Sequence, residues 1–435
     1  MSRFLLTAMP FTGHVGPMAA VARELVRRGH EVRFYTGSRF RDRVEASGAQ
    51  LVSWQRAPDF DENDLAATFP RLIGKKGTQQ LLVNMVDCFI QTAPAQTLDL
   101  AAEWQREPWD LLVADETSVG AVLFAQTKRM PWATLAVLPL MLPGPGGPPS
   151  GLGLHPGTNP ITRARDALLR GAVPLVSRPL VKALDAAQLD VGLKATHRTM
   201  ERIVFSPTLV MASGSPLLDY DRADRPAHLQ FVGEVSAVPP SMPLPDWWPD
   251  LDGRRVVLVT QGTLNIDPED LVRPTLEALA DRDVLVVATT GIAGRDTLPF
   301  PVPSNARVAG FVPFAELLPR VDLAVTNGGW GSTVATLRQG IPLVVAGGDL
   351  DKPEVAARVA WSGAGVNLRT GTPKAAGVAA AIDRVLADPS IREAAGRVGA
   401  QLRSLGGVTA AADLLERTVV HAWSGELNGG EPEES

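Results

Sequence analysis

Short apolar runs of four to six residues, each trailed by a longer amphipathic run, recur along this 435-residue chain. That alternation is the strongest constraint on its fold. A short run rich in Val, Leu and Ala reads as a strand buried on both faces, and the helical run behind it must cross back over the sheet. Phe4–Ala8 precedes a helical pattern from Pro17 to Arg28, Gly29 stops it, and Glu31–Tyr35 reads as the next strand. Leu111–Ala114 and Trp132–Val137 continue the series. Pro239-Pro240-Ser241-Met242-Pro243-Leu244-Pro245 can extend neither a helix nor a central strand and reads as a linker. Beyond it the alternation restarts, with strands at Val256–Val259, Val284–Ala288, Leu323–Thr326 and Pro342–Ala346 and a helix at Pro268–Leu279. The prediction is an α/β protein of two Rossmann-like domains facing a central cleft, 1–234 and 251–407, joined by a Pro-rich linker over 235–250. A last helix starts at Val408, and the polar, acidic segment 425–435 is predicted to be disordered.

Composition excludes several function classes. A formal charge of −5 with both signs interspersed gives no nucleic-acid footprint. The single cysteine, Cys88, permits no internal disulfide and points to a reducing, cytoplasmic setting. No apolar run approaches the ~18 residues of a membrane span, so no stable membrane insertion is expected.

The chemistry should sit at the carboxyl ends of the strands. The strand Leu323-Ala324-Val325 runs into Asn327-Gly328-Gly329-Trp330-Gly331-Ser332-Thr333, three glycines and a hydroxyl pair at the start of a helical run. Backbone N–H groups and the positive end of a helix dipole make such a turn an anion site, a phosphate above all, although glycines alone also serve a tight βα turn. In the first half, His14 lies on a Gly-flanked turn after the first strand, ahead of the helix beginning near Pro17. Its ordinary pKa of ~6.5 suits a general base. Asp115, at the end of another strand of the same sheet, is placed to orient it, while Glu116 should point the opposite way.

These residues carry a resemblance. The Gly13-His14-x-x-Pro17 turn, the Arg28-Gly29-His30-Glu31-Val32 segment and the Asn-Gly-Gly-Trp-Gly-Ser turn resemble family 1 glycosyltransferases, closest to bacterial enzymes acting on macrolides and other small natural products. The resemblance spans Met1 to about Val420. It implies a GT-B fold, with a C-terminal helix over 408–424 returning to an N-terminal acceptor-binding domain, and inverting transfer of a sugar from a nucleoside diphosphate to an acceptor hydroxyl. By the same resemblance His14 is the base and Asp115 its partner. Thr263 lies near the diphosphate, Phe311 and Val312 lie at the nucleotide base, Gly328, Gly329, Gly331, Ser332 and Thr333 cradle the phosphates, and Asp351 grips the sugar.

Phe314 stands where the family often has Gln or His, and two further departures from the family pattern matter more. Asn327 stands where histidine is usual and can donate only a neutral amide hydrogen, and Lys352 replaces a glutamine beside Asp351. No Asp-x-Asp or His/Cys cluster suggests a metal, so the resemblance implies metal-independent catalysis with a UDP- or dTDP-sugar as co-substrate, no further cofactor, and a monomer or homodimer. The segments Trp54–Pro70 and Pro143–Gly157 are expected to shape the acceptor pocket. The arginines of the segment from Ile161 to Arg202 fit either a solvated helical face or a membrane-docking one. A membrane-associated enzyme with a lipid acceptor and a non-catalytic nucleotide-sugar-binding protein are the alternatives.

Overall fold

Two parallel sheets account for the strands of the computed structural model, which describes the chain except for residues 76, 145, 223, 237–241, 263–266 and 424–435. The first sheet contains β1 (Arg3–Thr7), β2 (Glu31–Thr36), β3 (Gln50–Ser53), β4 (Leu111–Asp115), β5 (Trp132–Ala136), β6 (Leu209–Ser213) and β7 (Leu229–Gly233). Their spatial order is β3-β2-β1-β4-β5-β6-β7. The second sheet is built from β8 (Val256–Thr260), β9 (Leu285–Thr289), β10 (Ala306–Ala309), β11 (Leu323–Thr326), β12 (Leu343–Val345) and β13 (Gly365–Asn367), ordered β10-β9-β8-β11-β12-β13. Each order reverses direction beside its first strand, so each sheet has one switch point, between β1 and β4 and between β8 and β11.

Period-two packing explains why these runs are strands. Leu5, Leu112 and Ala114 face one apolar cluster while Phe4, Leu6, Leu111 and Val113 face another. Val256 and Leu258, against Val257 and Val259, do the same in the second sheet.

The sequence reading needs three corrections. The first helix spans Thr12–Arg27, so His14 is in its first turn and not on a loop before it. Pro17 removes one hydrogen bond close to the helix start, where few intrahelical bonds have begun, and the helix passes through it. The helix expected from Pro268 begins at Val272. Strands β3, β7, β10 and β13 escaped the apolar-run reading because they are short or carry polar residues, and β6, an apolar run like those found, was missed with them.

The last helix, Val408–Trp423, packs Ala411, Ala412, Leu415 and Val419 into the core of the first sheet. Arg28 Nη1 donates to Asp413 (2.6 Å) and Glu416 (2.8 Å), and His30 Nε2 lies 2.7 Å from Glu416. The chain crosses at Gly407, whose φ of +60° suits glycine and whose N–H donates to Val232 O. Residues 424–435 and the central part of the linker, 237–241, lie outside the described residues.

Candidate active site

Two switch points facing one cleft hold the titratable groups singled out from the sequence. On the first sheet, β1 pairs with β4 so that Thr7 lies opposite Ala114. Asp115 therefore comes level with the segment leading to His14. His14 Nδ1 lies 3.2 Å from Asp115 Oδ2 and 3.2 Å from Thr117 Oγ1. Asp115 is fully buried, and backbone donors fix both its oxygens: Met9 N–H on Oδ2 at 3.0 Å, Thr117 N–H on Oδ1 at 2.6 Å. The Thr117 hydroxyl adds a bond to Oδ1 at 2.7 Å. This carboxylate can only accept, so His14 Nδ1 carries the proton toward it, and Nε2 is left with no partner among the described residues.

The electrostatics follow from that pairing. Burial alone pulls the His14 imidazole down, but the Asp115 charge and hydrogen bond, helped by Glu116 and Asp351, outweigh it and raise the pKa above 6.5. Burial pushes Asp115 up, and His14 with Thr117 overrides it, so this carboxyl stays below the usual range. Glu116 turns away, as expected, and accepts from Val137 N–H and Leu138 N–H. Burial and the Asp115 charge push it up to about 7. Asp351 lies on the second sheet, at the head of the helix Lys352–Trp361, close enough for its charge and that of His14 to act on each other. Burial keeps Asp351 above the ordinary carboxylate value.

On the second sheet, Asn327 follows β11 and Gln261 follows β8, side by side. Asn327 is 7% exposed; its Nδ2 donates to Gln261 O, and its Oδ1 is buried without a partner. The glycine turn closes over the N-terminus of the helix Trp330–Arg338, where Ser332 Oγ donates to Gly329 O at 3.0 Å. Gly328 has a φ of +91°, and a side chain there would meet Val345 and the Lys352 carbonyl. Thr333 and Val312 are buried, whereas Phe311 is 45% exposed. Lys352 is itself buried, with Nζ 2.9 Å from Asp349 Oδ1. Asn327, Lys352 and Asp349 line a cavity of about 300 Å³ with Gln261, Asp270 and Thr372. Thr263 lies outside the described residues. Among the described residues, no group of three or more His, Cys, Asp or Glu could hold a metal ion.

The chain as a whole is similar to known proteins. The chain is 40% identical over 422 residues to 4'-demethylrebeccamycin synthase of Lentzea aerocolonigenes, covering 96% of this chain and 100% of that protein. It is 32% identical to UDP-glucosyltransferase B1 of Starmerella bombicola, over 95% of this chain and 96% of the relative. The chain is a family 1 glycosyltransferase. Residues 273–410 of this glycosyltransferase match the family described as erythromycin biosynthesis protein CIII-like, C-terminal domain. Its fold matches the calicheamicin glycosyltransferase CalG4 with a TM-score of 0.70 at 23% identity, over 97% of this chain and 98% of the other. The kitacinnamycin glycosyltransferase superposes with a TM-score of 0.73 at 22% identity, over 96% and 99%. The fold is GT-B, as the sequence predicts, and the natural-product character of the resemblance holds with the 40% identical 4'-demethylrebeccamycin synthase.

Sequence reasoning missed Asp270, Asp349, Thr372 and Thr117. Thr117 was within reach, since a hydroxyl two residues past a strand-end carboxylate readily bonds back to it. Asp270 and Thr372 come from loops that only the folded chain brings beside Asn327.

Proposed function

We propose that the glycosyltransferase moves a sugar, with inversion, from a nucleoside diphosphate to a hydroxyl of a small hydrophobic, natural-product-like acceptor, and that His14 is the general base. The observation that carries this reading is His14 itself, its Nδ1 locked on buried Asp115 and its Nε2 unpaired among the described residues, with the charge of Asp351 of the opposite half acting on the ring. The acceptor enters from the first domain. Its hydroxyl gives its proton to His14 Nε2 as the oxygen forms a bond to the anomeric carbon, and the bond from that carbon to the diphosphate breaks on the opposite face. Asp115 stabilises the imidazolium that results. The leaving diphosphate meets the N–H groups of the turn at Gly328–Ser332 and the end of the helix Trp330–Arg338. Exposed Phe311 is available to stack on the nucleotide base, and Thr263 is assigned to the diphosphate by the resemblance.

Ser332 and Thr333 belong to the same cradle in this reading; the Ser332 hydroxyl donates to Gly329 O and Thr333 is buried, and the backbone N–H groups of the turn supply donors beside them.

The donor is a UDP- or dTDP-sugar, turnover needs no metal, and the enzyme acts in the cytoplasm as a monomer or homodimer. The deciding experiment pairs transfer with binding. His14→Ala should lower transfer by about 10²–10⁴ while nucleotide-sugar affinity holds. Full transfer by this variant would remove His14 from the mechanism. Loss of activity in EDTA, restored by magnesium, would remove metal independence. NMR of the product's anomeric proton reads the stereochemistry.

A further inference from the structure

The helix Pro160–Val176 is built inside out. Its charged side chains, Arg163 apart, turn toward the protein. Asp166 is buried there and accepts Gly157 N–H at 2.7 Å, and Arg165 and Arg170 donate to the carbonyls of His155 and Gly147. Most of its apolar side chains point outward. Ile161, Ala164, Leu168, Ala172 and Leu175 follow one stripe at helical spacing and all are exposed, Ile161 by 82% and Leu168 by 76%. Of the residues this helix exposes, Arg163 alone carries a charge. A surface helix of a globular protein has the opposite arrangement, with its apolar stripe against the core. A contiguous apolar face left in water marks a surface that something covers.

Charge decides what covers it. From Pro160 to Arg202 there are eight Lys and Arg against four Asp and Glu, in a chain whose formal charge is −5. Asp166 is bonded to Arg165 and Asp185 to His197. Exposed Arg163 stands at the start of the stripe, and exposed Arg178 and Lys182 just past its end, none of them in an ion pair among the described residues. A second copy of this chain would set these cations against their own images. An apolar stripe flanked by cations fits acyl chains and anionic headgroups instead. No helix among the described residues is long and apolar enough to cross a membrane, and this one would lie along the surface. We infer that the helix Pro160–Val176 docks on an anionic lipid surface, with Ile161, Leu168 and Leu175 in the acyl boundary and Arg163, Arg178 and Lys182 among the phosphates. The docking stands apart from the proposed transfer chemistry. Joined to it, the contact brings the enzyme to the phase in which a small hydrophobic acceptor concentrates.

The test is flotation of the full chain with vesicles of phosphatidylcholine, alone or with about one third phosphatidylglycerol. At ~0.1 M salt the chain should partition onto the anionic vesicles at least about 10-fold more strongly, and the preference should fade toward ~1 M. Leu168→Glu should lower that partitioning at least about 10-fold. Arg178→Ala and Lys182→Ala should each lower it about 5-fold, on the anionic vesicles only. Leu175→Glu replaces Leu168→Glu if the latter fails to fold, and the Tm of every variant is read alongside. Equal partitioning of the unaltered chain onto the two kinds of vesicle would overturn the inference, as would leucine variants that bind like the unaltered chain. So would a dimer, seen by sedimentation velocity without lipid, that either leucine variant dissociates, since the face would then belong to a second copy.

Discussion

His14 and Asp115 form a pair in which each residue sets the state of the other. The raised His14 pKa gives opposite pH responses for rate and stability. A base must be neutral, so transfer should fall as the pH drops through a midpoint above 6.5. Stability behaves the other way. A folded-state pKa raised above the unfolded value adds stability that is fully present below about 6.5 and is lost as pH rises through the folded value. The depressed Asp115 carboxyl contributes stability above its ordinary value of 3.8, lost as pH falls through the lower folded value. A pH–rate profile beside a pH–Tm series would show the crossing, and coincident trends would argue against the pairing. Asp115→Asn should cost both properties. Either amide orientation sets an NH₂ against Met9 N–H or Thr117 N–H, about 1–3 kcal/mol of lost stability by denaturant titration, with a fall in rate as the histidine tautomer is no longer fixed. Both members of this pair were readable from the sequence, as a histidine and a carboxylate at the ends of two apolar runs. Asn327 was readable only as a departure from a pattern. Which of its amide atoms stays free depends on the carbonyl of Gln261, brought beside it by the pairing of β8 with β11.

At the scale of elements, the return of the last helix depends on one backbone position. Gly407 has a φ of +60°, and a Cβ there would lie 2.6 Å from Glu234 O. Gly407→Ala should therefore destabilise by about 1–3 kcal/mol from the left-handed backbone alone, with the close contact adding to it. Thermal melting reads the loss; an unchanged Tm would mean the crossing can relax elsewhere. The arginines of the segment from Ile161 onward have a structural role. In the helix Pro160–Val176, Arg165 Nη2 donates to His155 O at 2.7 Å and to Asp166 at 2.6 Å, and Arg170 donates to Gly147 O. They hold the Pro/Gly-rich stretch against the helix. The same helix exposes Ile161, Leu168 and Leu175 at a spacing of seven residues. Leu168→Glu should leave stability within about 0.5 kcal/mol, because that side chain is 76% exposed. Sedimentation of the protein with anionic liposomes, with and without this change, tests the membrane-docking alternative. Of the segment Trp54–Pro70, Trp54, Phe60 and Phe69 are buried in the core beside Phe11, whose ring centroid lies 5.9 Å from that of His14. This segment therefore packs against the aromatic ring beside His14.

Across the whole molecule, one helix links the two halves of the reaction. Asp351 heads the helix Lys352–Trp361, and three residues further along it grip the first domain. Glu354 accepts Gly151 N–H and Gly153 N–H at 3.1 Å each. Ala357 O lies 2.9 Å from His155 Nε2. Arg358 donates to Leu140 O at 2.5 Å, lies 3.3 Å from Asp219 and sits 4.5 Å from the Tyr220 ring centroid. The Pro/Gly-rich stretch of the first domain is thus held partly by the helix that presents Asp351. Arg358→Met would leave Glu354, at 2% exposure, without its cation and buried Asp219 with Arg225 alone, a loss of about 3–5 kcal/mol. Glu354→Gln keeps one acceptor for the two glycine N–H groups and should be milder. If the contact positions the acceptor stretch, Glu354→Gln should raise the acceptor KM several-fold with donor affinity unchanged. Equal effects on both substrates would mark the contact as merely structural.

The sequence alone determined the fold class, the two-domain division and the strands beside the two switch points. A buried parallel strand has to be apolar along its length, and a Pro-rich segment has to interrupt the pattern. It also located His14, Asp115 and the glycine turn, because strand-end turns fall next to the residues that make them. The tertiary structure decided the rest. Asp270 and Thr372 share a cavity wall with Asn327, the charge of Asp351 acts on His14, and Arg358 reaches Leu140 across distances of tens to hundreds of residues. Periodicity reports which face of an element is buried, whereas these contacts depend on which elements are neighbours, and strand order and domain docking alone fix that.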